Sequence, residues 1–207
     1  MNILNLQNQW SRQGIFSIHE MMAAHPGFDK NNLTRWVAKG YLVRLRRGWY
    51  AFPEALTRAD YGYVVAERIY RPSYISLQTA FGVYDMVPEA VAGITSVTSL
   101  KTMRFDTPLG PYSYYSLKPE LMFGYKPVLT PDKRAWYLAH PEKALLDFLY
   151  LNPQYSTGQD MLDLRFDDFF LAEEMNWLRL SEYIRKFDSP ALAGRLATLK
   201  KAYGIDD

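Results

Sequence analysis

Two sets of side chains in this sequence have types and spacings that could do chemistry, one basic and one acidic. The basic set is Lys30, Asn31, Asn32, Thr34, Arg35 and Lys39, followed closely by Arg44, Arg46 and Arg47. Arg can meet a guanine edge with a fork of N–H donors and Asn can pair with adenine, while Lys and Thr hold phosphates. The acidic set is Asp160, Asp163, Asp167, Asp168, Glu173 and Glu174. Clustered carboxylates can hold Mg²⁺ for phosphoryl transfer or nuclease chemistry. No Gly-Ser dipeptide, Asp-x-Asp or Asp/Glu-x-Lys accompanies them, so they read as solvated helix and loop surface.

Other enzyme signatures are equally thin. The three His (His19, His25 and His140) have no His or Cys neighbour at metal-ligand spacing, and the chain has no Cys. A phosphate-binding Gly loop and a G-x-S-x-G elbow are both missing. Glu142 and Lys143 stand at the start of an apolar run, where a first-turn carboxylate favours the helix dipole. Their expected task is to fix a junction between sheet and helix. The sequence therefore reads as a chain without catalysis, metal or cofactor.

The basic set needs elements to present it. Ile3, Leu6 and Trp10 lie at helical spacing, predicting a first helix over residues 3–12 that Gly14 ends. Ser17-Ile18-His19-Glu20 reads as a capping box, with Ile18, Met21 and Met22 forming the stripe of a short second helix. Pro26-Gly27 breaks it. A third helix is expected from an Asp29 N-cap to about Gly40, with Leu33, Trp36 and Val37 inward. Its opposite face then centres on Asn31 and Arg35, flanked by Asn32, Thr34 and Lys39. Residues 41–52 read as two short strands around a turn near Arg47-Gly48. Alternation places Arg44 and Arg46 on one face, and Val43 and Leu45 on the other. Three helices followed by a basic hairpin is the order of a winged helix-turn-helix, with the third helix for the major groove and the hairpin as a wing.

Charge follows the same division. The 207-residue chain carries a net charge of only +2, yet residues 1–53 hold seven Lys/Arg against two acids, net +5, leaving −3 for 54–207. A small basic segment points to an anionic partner. With 48% hydrophobic and 22% charged residues the chain can bury a core and is not a disordered one. Residues 1–9 lack both a basic n-region and an apolar h-region, and no run reaches the ~18–20 residues of a membrane span. The expectation is a cytoplasmic chain with no membrane partner.

Residues 54–207 are expected to form a second, α+β domain with an antiparallel sheet and C-terminal helices. Helices are predicted over 58–70 and 76–84, then strands over 95–100, 112–117, 121–129 and 135–138. The strand at 112–117 is expected to return antiparallel to 95–100 across the turn Thr107-Pro108-Leu109-Gly110-Pro111. Helices over 143–151, 176–187 and 189–203 close the chain. Tyr112, Tyr114, Tyr115, Phe123 and Tyr125 could line a partner surface, as Tyr and Phe often do. A protein-interaction module that binds a partner directly, without specific DNA binding, is therefore the alternative reading.

Several segments resemble the AbiEi family of antitoxins. They are Arg71-Pro72-Ser73-Tyr74-Ile75-Ser76-Leu77-Gln78-Thr79-Ala80-Phe81, Val97-Thr98-Ser99-Leu100-Lys101-Thr102, Thr107-Pro108-Leu109-Gly110 and Ala139-His140-Pro141-Glu142-Lys143-Ala144-Leu145-Leu146-Asp147. Leu45-Arg46-Arg47-Gly48-Trp49-Tyr50-Ala51 is similar to that family's wing. The resemblance covers roughly residues 40–150. It implies a transcriptional regulator from a type IV toxin–antitoxin, or abortive-infection, locus. Such a regulator represses its own operon by binding inverted repeats in its promoter, an arrangement compatible with a dimer on DNA. It also counteracts a nucleotidyltransferase-like toxin, usually without a stable direct complex, mainly through the second domain.

Overall fold

The computed structural model describes residues 2–58, 60–89 and 92–205. Three short helices and a three-stranded sheet open the chain. Helix α1 (Ile3–Trp10) is capped by the Asn2 side chain, which accepts from the Asn5 amide. Strand β1 (Ile15–Ser17) runs straight into α2 (Ile18–Ala24), whose capping box joins Ser17 and Glu20 reciprocally as the sequence predicts. Helix α3 spans Asn31–Ala38, and the Asp29 carboxylate accepts from the Asn31 amide at 2.9 Å. Asp29 thus caps the helix from one position farther out than expected. Strands β2 (Val43–Arg46) and β3 (Trp49–Ala51) form a hairpin about Arg47-Gly48, where Gly48 takes φ +80°. The antiparallel order is β1-β3-β2. Three residues are too few to display a period, which is why β1 escapes a sequence reading.

Beyond a short helix α4 (Pro53–Leu56), the chain builds a six-stranded mixed sheet. Helix α5 covers Tyr61–Ile69; the predicted start at Arg58 crosses Ala59, which lies outside the described residues. Strand β4 (Ser73–Ile75), absent from the sequence reading, leads into α6 (Leu77–Val83). The other strands are β5 (Ile94–Thr98), β6 (Met103–Thr107), β7 (Gly110–Ser116), β8 (Tyr125–Leu129) and β9 (Ala135–Ala139), in the order β6-β7-β5-β4-β9-β8. The predicted antiparallel pairing of 95–100 with 112–117 is corrected: β5 and β7 are parallel, with Val97 opposite Tyr115. The antiparallel mate of β7 is the edge strand β6, joined to it through Pro108-Leu109. That hairpin reverses the chain once more than the prediction allowed. The single strand predicted over 121–129 also divides, into a 3-10 turn at Pro119–Leu121 and β8. Gly124, at φ +72°, makes the break.

Helices cover both faces of this sheet. Tyr112 and Tyr114 donate their hydroxyls to the Gly62 and Ala66 carbonyls of α5, which lies on one face. Tyr74 points the other way, toward α7 (Pro141–Leu151), beside which α6 packs. Helices α8 (Gly158–Leu162), α9 (Trp177–Phe187) and α10 (Pro190–Ala202), with a π-helical turn at Phe170–Glu174, complete the outer layer. Among the described residues no helix is long and apolar enough to cross a membrane.

Two hydrophobic cores meet at the small sheet. Leu6, Phe16, Met21, Phe28, Leu33, Trp36, Leu42 and Phe52 form the first core. Ile15, Leu45 and Ala51, from the same three strands, instead join the large core of residues 55–199. At about 1.5–3 kcal/mol for a fully buried large aliphatic side chain, Ile15 and Leu45 alone tie the units firmly together. Polar contacts reinforce the seam. Tyr61 donates its hydroxyl to the Gln13 carbonyl at 2.8 Å, and Arg134 donates to the same oxygen. Arg68 reaches Glu20 at 2.6 Å.

Candidate nucleic-acid interface

Helix α3 is amphipathic. Leu33 and Trp36 are buried, Val37 is half-buried, and the Trp36 ring rests 5.8 Å from that of Phe28. The opposite face presents Asn31, Thr34, Arg35 and Lys39 to solvent, with Asn32 half-buried beside them and Lys30 exposed just before the first turn. Arg35 does not wave free. Its Nη2 donates to Asn32 Oδ1 at 2.8 Å and lies 3.4 Å from Asp29 Oδ2. An exposed pair of this kind contributes only about 0–1 kcal/mol, so a base edge or phosphate competes with it easily. Asp29 therefore closes the helix start and steadies the guanidinium above it.

The hairpin divides its arginines. Arg44 and Arg47 are exposed, as the sequence reading places them. Arg46 is not on their face. The ladder shifts register between Arg44 and Arg46, a bulge that breaks strict alternation at Leu45. Arg46 therefore turns toward the second unit, its guanidinium 4.2 Å above the Phe105 ring. Its Nη1 is buried without a hydrogen-bond partner among the described residues. Burial pushes its pKa down, partly offset by Tyr114 and Tyr70. A ring face returns about 0.5–2 kcal/mol to a cation, less than the several that desolvating a charge costs.

The acidic residues do not gather at one point, and two of them, Asp160 and Asp167, each close a turn. Asp160 completes a capping box with Thr157 and also accepts from the Ser156 amide, hydrogen bonds that lower its pKa. Asp163 accepts from the Gln159 side chain, and Asp167 caps the π-helical turn by accepting from the Phe170 amide at 2.7 Å. Among the described residues no three His, Asp or Glu converge as a metal site would require. His25 bonds Gln9, and His140 Nδ1 sits 2.8 Å from the Tyr183 hydroxyl.

One buried network was only half legible. Lys143 and Asp147, one turn apart on α7, are both fully buried and ion-paired. Lys143 Nζ also donates to the Tyr74 hydroxyl at 2.7 Å, while Tyr74 and Ser76 donate to Asp147 Oδ2 at 2.8 and 2.9 Å. Phe123 and Phe187 lie over the ammonium at 5.0 and 4.9 Å. Burial dominates the electrostatics, pushing the Lys143 pKa down, Asp147 up and Tyr74 well up. The i,i+4 spacing puts Lys143 and Asp147 on one helix face, while their link to β4 joins residues some seventy positions apart and leaves no local signal. This arrangement locks helix to sheet, the role expected for Lys143. Glu142 spans another joint, accepting from the Asn176 amide at 3.1 Å, with Arg179 3.6 Å from its second oxygen.

No protein-family model matches this chain, and no curated protein matches it significantly.

Proposed function

We propose that the first unit is a winged helix-turn-helix that binds double-stranded DNA, and that the chain is an antitoxin repressing its own type IV toxin–antitoxin operon. The observation that carries the reading is α3, which buries Leu33 and Trp36 while exposing Asn31, Thr34, Arg35 and Lys39. A hairpin with exposed Arg44 and Arg47 follows it directly. In this reading Asn31 and Arg35 meet base edges in the major groove, and Lys30, Asn32, Thr34, Lys39, Arg44 and Arg47 hold the backbone. Inverted repeats in its own promoter are the proposed target, and a nucleotidyltransferase-like toxin is the activity it counteracts without a stable complex. Support for that larger role comes from the resemblance of residues 40–150 to AbiEi antitoxins.

The direct test is a fluorescence-anisotropy titration of upstream DNA against a scrambled duplex at two salt concentrations. Specific binding predicts a preference of ~10³-fold or more and a steep salt dependence. Weak and equal binding to both duplexes would overturn the DNA reading and leave a protein-interaction module.

A further inference from the structure

A cleft of about 470 Å³ opens where the two units meet, a size suited to a small ligand. Arg46 and Trp49, register partners across the hairpin, enter it from the first unit. Arg68, Tyr70 and Arg71 enter from the end of α5 and the residues just after it. Two of the three guanidiniums already have counter-charges. Arg68 pairs with Glu20, and Arg71 grips Glu67 with two hydrogen bonds of 2.6 Å. Arg46 has no carboxylate within ion-pair distance among the described residues, and its one buried nitrogen, Nη1, has no acceptor. The cleft therefore carries one uncompensated positive charge, on the side chain best shaped to take two oxygens of one anion. Trp49 and Tyr70 border the same space. Arg68 lies over the Trp49 ring at 5.9 Å, and Tyr70 meets Phe105 and Tyr114 edge to face, so a base would stack by displacing Arg68 or on what those neighbours leave uncovered.

We propose that this cleft binds a nucleoside monophosphate, its phosphate on Arg46 and its base against Trp49 or Tyr70. Residues from both units line the site, so an occupied cleft bridges the seam. The site is separate from the exposed face of α3, and its existence does not depend on DNA binding.

Calorimetric titration of the full chain with AMP, GMP, adenosine and inorganic phosphate tests the assignment. Wild-type protein should bind AMP or GMP at least tenfold more tightly than adenosine or inorganic phosphate. Arg46→Met should lose at least tenfold in affinity, and Arg46→Lys, which keeps the charge but not the fork, should fall between. Thermal melts without ligand verify that both variants are folded; should Arg46→Met not fold, Arg46→Lys decides by the same comparison. Three results would overturn the proposal: no mononucleotide binding by the wild type, unchanged affinity in folded variants, or inorganic phosphate binding as tightly as AMP. If the cleft instead serves the phosphodiester of a duplex, Arg46→Met weakens duplex binding while the wild type ignores AMP, and the proposal fails. Failure of the DNA reading leaves the mononucleotide titration unaffected.

Discussion

Lys143 and Asp147 show how much can depend on two side chains that solvent never meets. Removing one partner leaves the other charge buried, so Lys143→Met should cost roughly 3–5 kcal/mol in urea denaturation. Adding Asp147→Leu should recover much of that loss, which a merely additive pair would not do. His140 gives a pH signature. Burial and Arg179, opposed by Glu142 and helped by Lys126, hold its folded pKa below the ordinary value of 6.5, so the unfolded chain binds the proton more readily. Stability should fall as pH drops below about 6.5, before the carboxylates titrate, and His140→Gln should flatten that slope in melts between pH 5 and 7. On the exposed face the effects divide differently. Under the proposed DNA reading, Arg35→Ala should lose about 1–3 kcal/mol at one base position, whereas Arg47→Ala should weaken all duplexes and lower the salt slope by about one. Anisotropy titrations on matched and single-substituted duplexes separate the two outcomes.

Among the elements, the turn before β1 is held to an unusual tolerance. Gly14 takes φ +74°, and a Cβ there would fall 2.0 Å from the Tyr61 hydroxyl and 2.8 Å from Ala55. Gly14→Ala should therefore cost roughly 1–3 kcal/mol through backbone strain and overpacking, read as a lower denaturation midpoint at unchanged slope. Local signals of this kind explain what the sequence made legible. The Ser17–Glu20 capping box, the inward stripe of α3 and the apolar α7 all rest on residues within a turn of one another. Pairing between strands does not. The parallel contact of β5 with β7 depends on where β6 lies, and β1 and β4 are too short to alternate visibly. Strict alternation misplaces Arg46 for a similar reason, since one bulge undoes a period of two. The exposed face of α3 could be read from spacing alone, but the cleft at the seam draws on residues some fifty positions apart.

At the level of the whole molecule, the small sheet belongs to two interiors at once. Phe16 from β1, with Phe52 just after β3 and Tyr50 packed alongside, contributes to the first core, while Ile15, Leu45 and Ala51 complete the second. A fragment of residues 54–207 should consequently expose an apolar scar, melt below the full chain and self-associate in size-exclusion chromatography. Melting as high as the full chain, as a monomer, would show that the seam contributes little. The Glu20 carboxylate condenses the same arrangement into one group: one oxygen closes the first turn of α2 and the other holds Arg68. Heredity meets a constraint there. Recombination that exchanged the first fifty residues for those of another chain would sever Glu20 from Arg68, Ile15 from the large core and Arg46 from Phe105. The exposed face of α3 is free to change by point substitution, while the inner faces of the strands descend together with the domain beneath them.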